Sequence, residues 1–220
     1  MRITPTAAIL GLLFAVCLLP TAMAGKVIDH GRHGDIDKVN GDIEIGKQSE
    51  AGNLETVNGD IEVDDGSKVG EMETVNGDIE LGSNVSGDSA ETVNGSISGK
   101  NGTQIAGNVE TVNGGVRLAD GSAARQVETV NGTIALDGTR VSHDIETVNG
   151  NIELSGSTKV SGAVIFRKPS GMGWFNNSKK PTLTVKAGVE VGSVILEREI
   201  DLQIDPAAKV GKIERRYDNK

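Results

Sequence analysis

Glu55, Glu73, Glu91, Glu110, Glu128 and Glu146 recur at steps of 18 or 19 residues. Carboxylate oxygens are ligands for hard cations, so a column of them could hold Ca²⁺ or basic groups. A solvated edge relieved by nearby Lys and Arg is the ordinary alternative. A second group is Arg167, Lys168, Trp174, Phe175, Lys179 and Lys180, which includes the only tryptophan. Trp and Arg dominate binding hot spots, so this basic and aromatic stretch is a candidate contact site for a protein or glycan. Folding of Trp174 and Phe175 back onto the side of the molecule is the alternative. His30, His33 and His143 are the only histidines, and the first two, with Asp29 and Asp35, lack the defined ligand set of a structural metal site. No nucleophile is paired with a base and no phosphate loop is present, so the chain reads as non-enzymatic, with Ca²⁺ the one cofactor considered. A polysaccharide-cleaving β-helix is the enzymatic alternative; it needs acids and bases clustered on long loops, and the repeat leaves space for one such loop.

Each of the six glutamates opens a copy of Glu-Thr-Val-Asn-Gly, and Asp37-Lys38-Val39-Asn40-Gly41 is a seventh, degenerate copy. The asparagines fall at 40, 58, 76, 94, 113, 131 and 149. A short fixed period signals a solenoid, because one unit cannot bury its apolar side alone. Four residues after each motif valine stands Ile43, Ile61, Ile79, Ile97, Val116, Ile134 or Ile152, and two further on an aliphatic residue in all copies but Gly99. That alternation is a strand, whereas the gaps of three and four residues between apolar positions call for corners. The fold predicted is therefore all-β, a single-stranded β-helix of about 18 residues per coil, with the motif valine in the core. A right-handed coil is expected. A left-handed triangular helix would suit the six-residue spacing of Val57, Val63, Val69, Val75 and Leu81, but it turns Glu73 inward and ranks second.

Asn-Gly is suited to backbone with positive φ and marks the corner. Stacked at about 4.8 Å, the asparagine amides can bond along the stack. Thr56, Thr74, Thr92, Thr111, Thr129 and Thr147 could tile a flat Thr-x-Asn face able to bind ice or carbohydrate, although threonine is also a good strand residue. Asp42, Asp60 and Asp78 follow their glycines, but later copies have Ser96, Gly115, Thr133 and Asn151 there, a pattern of surface drift.

The N-terminus reads as a secretory signal: Met1-Arg2, an apolar run from Ala7 to Leu19, and Ala22-Met23-Ala24 before Gly25. Cleavage after Ala24 would discard Cys17, the only cysteine, and leave no transmembrane segment. Export to the periplasm, the cell surface or the medium is the expected address. The formal charge of -9 disfavours nucleic acid as a partner. The chain divides into a signal peptide (1–24), an N-terminal cap (25–35), repeats (36–165), a Pro- and Gly-containing loop (166–181), and further coils with a C-terminal cap (182–220), where Lys209-Val210-Gly211-Lys212-Ile213-Glu214 echoes Lys68 to Glu73. Unpaired terminal strands make end-to-end self-association an open alternative, and charged residues at both ends could blunt it.

The recurring Val-Asn-Gly-Asp-Ile-Glu unit, with its Val-Gly echo between copies, resembles the bacterial adhesin-like family of exported domains in which Thr-Val-(Ser or Asn)-Gly-Asp-Ile units recur. The resemblance runs from about Ile36 to the C-terminus. It implies a β-solenoid and a role as a cell-envelope surface or scaffold protein, and supplies no catalytic residues. A weaker similarity is to bactofilins, triangular β-helices that polymerise end to end; those face the cytoplasm, which the signal peptide opposes. A glycan- or ice-binding module and an end-to-end envelope assembly protein are the alternative functions.

Overall fold

The computed structural model describes residues 27–29, 31–169 and 180–217; among them every element is a β-strand, and all pairings are parallel. One coil can be followed from Ile61. Ile61–Val63 is a short strand with both aliphatic side chains buried and Glu62 exposed. The chain turns through Asp64 to Ser67, passes Lys68 and Val69, and runs as the strand Glu71–Asn76 before the Asn-Gly corner delivers it to Ile79–Leu81. Each stretch lies on its counterpart in the coils below and above: Ile61 on Ile43 and Ile79, Met72 on Leu54 and Ala90.

The first face is a ten-stranded sheet running from Val27–Asp29 to Asp201–Ile204, so about nine turns separate its ends. At the interstrand spacing this gives a rod of about 43 Å. The second face carries the motif strands and the third carries short ones such as Gln104–Ile105; both belong to one 14-stranded sheet, because Lys159–Phe166 pairs with strands of each. The chain is therefore a parallel β-solenoid. Its core is a set of columns in which like stacks on like, Ile43, Ile61, Ile79, Ile97, Ile134 and Ile152 all being fully buried. Each such burial is worth about 2 kcal/mol.

Two structural expectations are corrected. Leu54–Asn58 is one continuous strand, with Leu54 and Thr56 buried and Glu55 and Val57 turned outward. No corner separates Leu54 from Val57, so parity places the threonine in the core and leaves the valine half-exposed. The six-residue register fails for the same reason: Val63, Val69 and Leu81 are buried, whereas Val57 and Val75 are not. The second correction concerns the motif glycines. Only Gly41 among them has positive φ, at 113°. The others are glycine because a Cβ on Gly59, Gly77, Gly95, Gly114, Gly132 or Gly150 would overlap the carbonyl oxygen of the motif glycine one coil below. Left-handed backbone belongs instead to the corner after the first face, at Gly66, Gly102, Gly121, Gly138 and Gly156, and at Gln48 and Asn84.

The ends differ from the body. Val27–Asp29 already pairs with Ile43–Ile45, so the N-terminal segment forms a coil. In the first motif strand Lys38 takes the register position of Thr56, and its ammonium donates to the Asp42 carbonyl at 2.6 Å. In the last, Arg215 stands in register on Leu196. Cations in core columns of both terminal coils oppose the stacking of a further coil. Phe166 ends a strand and is fully buried, and Pro181 is buried too, so both bounds of the loop expected over 166–181 belong to the stack, while 170–179 lie outside the described residues.

The glycine contact yields a sharp expectation. Gly95→Ala should destabilise the chain by about 1–3 kcal/mol through overpacking against Gly77, whereas Gly34→Ala, with nothing within 4 Å of the added methyl, should leave stability within error. Paired chemical-denaturation curves decide the matter, and equal midpoints would refute the close-approach account.

Candidate functional site

Three residues of the motif are engaged by the stack. Each asparagine amide donates to the asparagine below, Asn58 to Asn40 at 3.1 Å and onward to Asn149 to Asn131 at 3.0 Å. The expected ladder is thus present at all six steps. Its last free acceptor, Asn149 Oδ1, receives Arg198 Nη1 at 2.9 Å. The threonine hydroxyls of Thr56, Thr74, Thr92, Thr111 and Thr129 donate to the motif-glycine carbonyl of the preceding coil at 2.8–3.3 Å. Thr56, Thr74, Thr92, Thr111, Thr129 and Thr147 are all buried. The outward hydroxyl array that ice or carbohydrate binding would use is therefore not presented.

A further buried hydroxyl column, Ser49, Ser67, Thr103, Ser122, Thr139 and Thr158, lies inside the left-handed corner and escaped sequence reasoning. Thr103 Oγ1 donates to the Lys100 carbonyl at 2.7 Å and Ser67 Oγ to the Gly46 carbonyl at 2.8 Å. Recurrence of Ser or Thr just beyond the corner residue was the available signal. The aspartates after the motif glycines are also engaged: Asp42, Asp60 and Asp78 each accept a backbone N–H from the next coil at 2.7–3.0 Å.

The glutamates form the column anticipated from their spacing, in register from Glu55 through Glu146. They face outward, yet Glu110, Glu128 and Glu146 are only 8%, 5% and 6% exposed. Burial first, then the neighbouring carboxylates Glu110 and Glu146, push Glu128 up to about 8. Burial, with Glu110 and Glu73, raises Glu91 to about 7. Glu55 and Glu73 are raised by burial and by nearby acids. Burial raises Glu110 as well, opposed by the Asn108 amide, which donates to it at 2.8 Å, and by Arg125. At the C-terminal end Arg167 grips Glu146 with two hydrogen bonds, Nε to Oε2 at 2.9 Å and Nη2 to Oε1 at 3.0 Å, and reaches Glu197 at 3.1 Å.

Arg167 is thus engaged within the chain. Lys168 is exposed, its backbone N–H bonded to Glu197, and Lys180 pairs with Glu199 at 2.8 Å. Trp174, Phe175 and Lys179 lie outside the described residues, as does His30. His143 is exposed beside Ser142, 3.2 Å from its hydroxyl. Among the described residues no group of three or more His, Cys, Asp or Glu side chains is disposed to hold a metal ion. An open cavity of about 380 Å³ on the third face is lined by Lys68, Asp88 and Gln104 with Val69, Ile105 and Ala106. It holds one carboxylate, where glycoside hydrolysis uses two.

Fold and site together define a class, the parallel β-solenoid with in-register side-chain ladders. Comparison with protein families, curated proteins and solved structures gave no significant match.

The glutamate column predicts how stability varies with pH. A carboxyl group held at about 8 in the fold and near 4.5 when unfolded favours the folded state fully below pH 4.5, and that contribution is lost as pH rises to about 8. The melting temperature should therefore fall between pH 5 and pH 9. Glu128→Gln should flatten the decline, raising the melting temperature at pH 9 by about 3 °C for each kcal/mol of repulsion removed. A native profile flat over that range, followed by circular dichroism, would contradict the buried column.

Proposed function

We propose that this chain is a non-enzymatic, exported, adhesin-like protein that presents a stiff surface at the cell envelope. Export rests on the Ala22-Met23-Ala24 signal pattern, and the surface role on the resemblance of the repeats to exported adhesin-like domains. The observation that carries the reading is how the chain is held on either side of residues 170–179. Before them Arg167 is tied to Glu146 and Glu197, and after them Lys180 is tied to Glu199. Both ties stand next to strands that send side chains into the core, Lys159–Phe166 and Thr182–Val185. A solenoid whose repeat is interrupted once, by a stretch carrying Trp174 and Phe175, is suited to contact with a protein or glycan through those residues, because aromatic anchors give large contact area at low entropic cost.

Replacing Trp174 and Phe175 together by alanine should weaken attachment of the purified protein to bacterial cell surfaces by about tenfold or more, as expected for hot-spot aromatics, while the β circular dichroism signal stays unchanged. Attachment equal to that of the native chain would remove this segment from the function.

A further inference from the structure

Every motif copy ends in Asn-Gly, a pair in which the asparagine is open to attack by its own chain, because glycine places no side chain beside the attacking nitrogen. In that reaction the glycine amide nitrogen, its proton lost to solvent base, bonds to Cγ of the asparagine. The Cγ–Nδ2 bond breaks, Nδ2 leaves as ammonia with a proton from water, and a five-membered imide closes. Water then opens the imide at either carbonyl, giving aspartate or isoaspartate. No oxidant or cofactor takes part. The chemistry is common to all seven copies, so position in the stack decides which of them react.

Attack requires the side chain to swing until Cγ lies over the next nitrogen, within about 3.5 Å and aligned with it. The amide ladder holds it elsewhere. From Asn58 to Asn131 each amide donates to the asparagine below and accepts from the one above. At Gly41, Gly59 and Gly77 the attacking nitrogen is itself bonded to the asparagine carbonyl of the next coil. Asn149 makes the same donation, to Asn131 at 3.0 Å, and is exposed. The coil above it continues from Phe166 with Arg167-Lys168-Pro169 and offers no motif asparagine.

Arg198 takes that place. Leu196 lies in register on Phe166 and Phe166 on Thr147, so Arg198, two residues beyond Leu196, stands at the asparagine's offset in the second coil above. An arginine reaches across those two spacings, about 9.6 Å, and an asparagine does not. Its Nη1 donates to Asn149 Oδ1 at 2.9 Å and to the Val148 carbonyl at 2.8 Å, while the Gly150 N–H donates to Thr147 Oγ1 at 2.9 Å. Electrophile and nucleophile are both held, and the bond from the guanidinium is charge-assisted, stronger than the neutral amide bonds below it. We infer that Asn149-Gly150 is a latent self-modification site, open to deamidation through the imide, and that Arg198 keeps it closed. The opposite role, stabilising an oxyanion at Oδ1, requires the guanidinium to follow Oδ1 as the side chain swings, and its second bond to Val148 ties it in place. Deamidation has a consequence for the stack. An aspartate at this position accepts but does not donate, so the bond to Asn131 is lost and Asn131 becomes the new end of the ladder. Modification then passes from coil to coil, Asn149 before Asn131 before Asn113.

The test incubates the purified chain in mildly alkaline buffer and follows each of the seven pairs by peptide mass spectrometry, which separates acid from amide. The same chain unfolded in urea supplies the rate of each pair without the stack. In the native chain Asn149 should deamidate no faster than Asn76 or Asn94, and all three far more slowly than in urea. Arg198→Ala should speed Asn149 by about tenfold or more, the population change on removing one hydrogen bond to a charged group. Asn76 and Asn94 should keep their native rates in that variant, which shows the stack intact, and Asn131 should react next. A native chain in which Asn149 already outpaces Asn76 and Asn94 overturns the inference without any variant. So does Arg198→Ala with Asn149 unchanged, or slowed, the latter being the result of an arginine that assists the reaction.

Discussion

Everything in this molecule follows from one constraint: each coil lies directly on the next at a single interstrand spacing, and the tightest point is the motif glycine against the carbonyl beneath it. Side chains therefore meet their own copies. A residue is suited to a column only if it complements itself. Isoleucine does so by packing, and asparagine because its side chain both donates and accepts. Threonine does so indirectly, bonding the carbonyl that the glycine leaves accessible. Ionised glutamate, an acceptor only, is the one repeated residue that does not.

A ladder of aligned amides must end somewhere, and each end leaves a group unsatisfied. The chain supplies a cation at the place where the regular motif stops. Arg198 fills the last acceptor of the asparagine ladder, and Arg167 neutralises the last glutamate. Irregularities of period fall between faces. Gln104 pairs with Ser86 at a separation of 18 residues while Val109 pairs with Ala90 at 19, so the extra residue is absorbed between the third and second faces. The register shift between Val160 and Ala163 falls at the same passage, inside the strand Lys159–Phe166 that joins those two faces. The columns of each face stay in register because the passages between faces take up the difference.

Much of this was legible in the sequence. The aliphatic columns and the asparagine ladder followed from period alone, since both depend on a residue meeting its equivalent one coil away. What was not legible depended on contacts between unlike positions. Thr56 is buried because its hydroxyl finds Gly41, 15 residues back, and nothing local to Thr-Val distinguishes that from an outward threonine beside a core valine. The motif glycines look like turn residues with positive φ, but their requirement comes from the neighbouring coil. The glutamate column was visible as a column, yet its burial was not: Glu55 remains partly accessible while Glu128 is 5% exposed, although both belong to near-identical motifs.

A stacked carboxylate has three means of satisfaction: a proton, a cation from its own chain, or a cation from outside. Glu146 uses the second, through Arg167, and Glu110 is partly relieved by Asn108 and Arg125. Glu91 and Glu128 are pushed toward the first. A proton makes a carboxyl group self-complementary, able to donate as well as accept, so the neutral column obeys the rule that governs every other column of the stack. Ionised, it breaks that rule and leaves a row of largely buried like charge beside the valines. The same residues are thus neutral packing in one state and an unsatisfied anionic face in the other. The balance between the two is set by whatever cation the column can recruit.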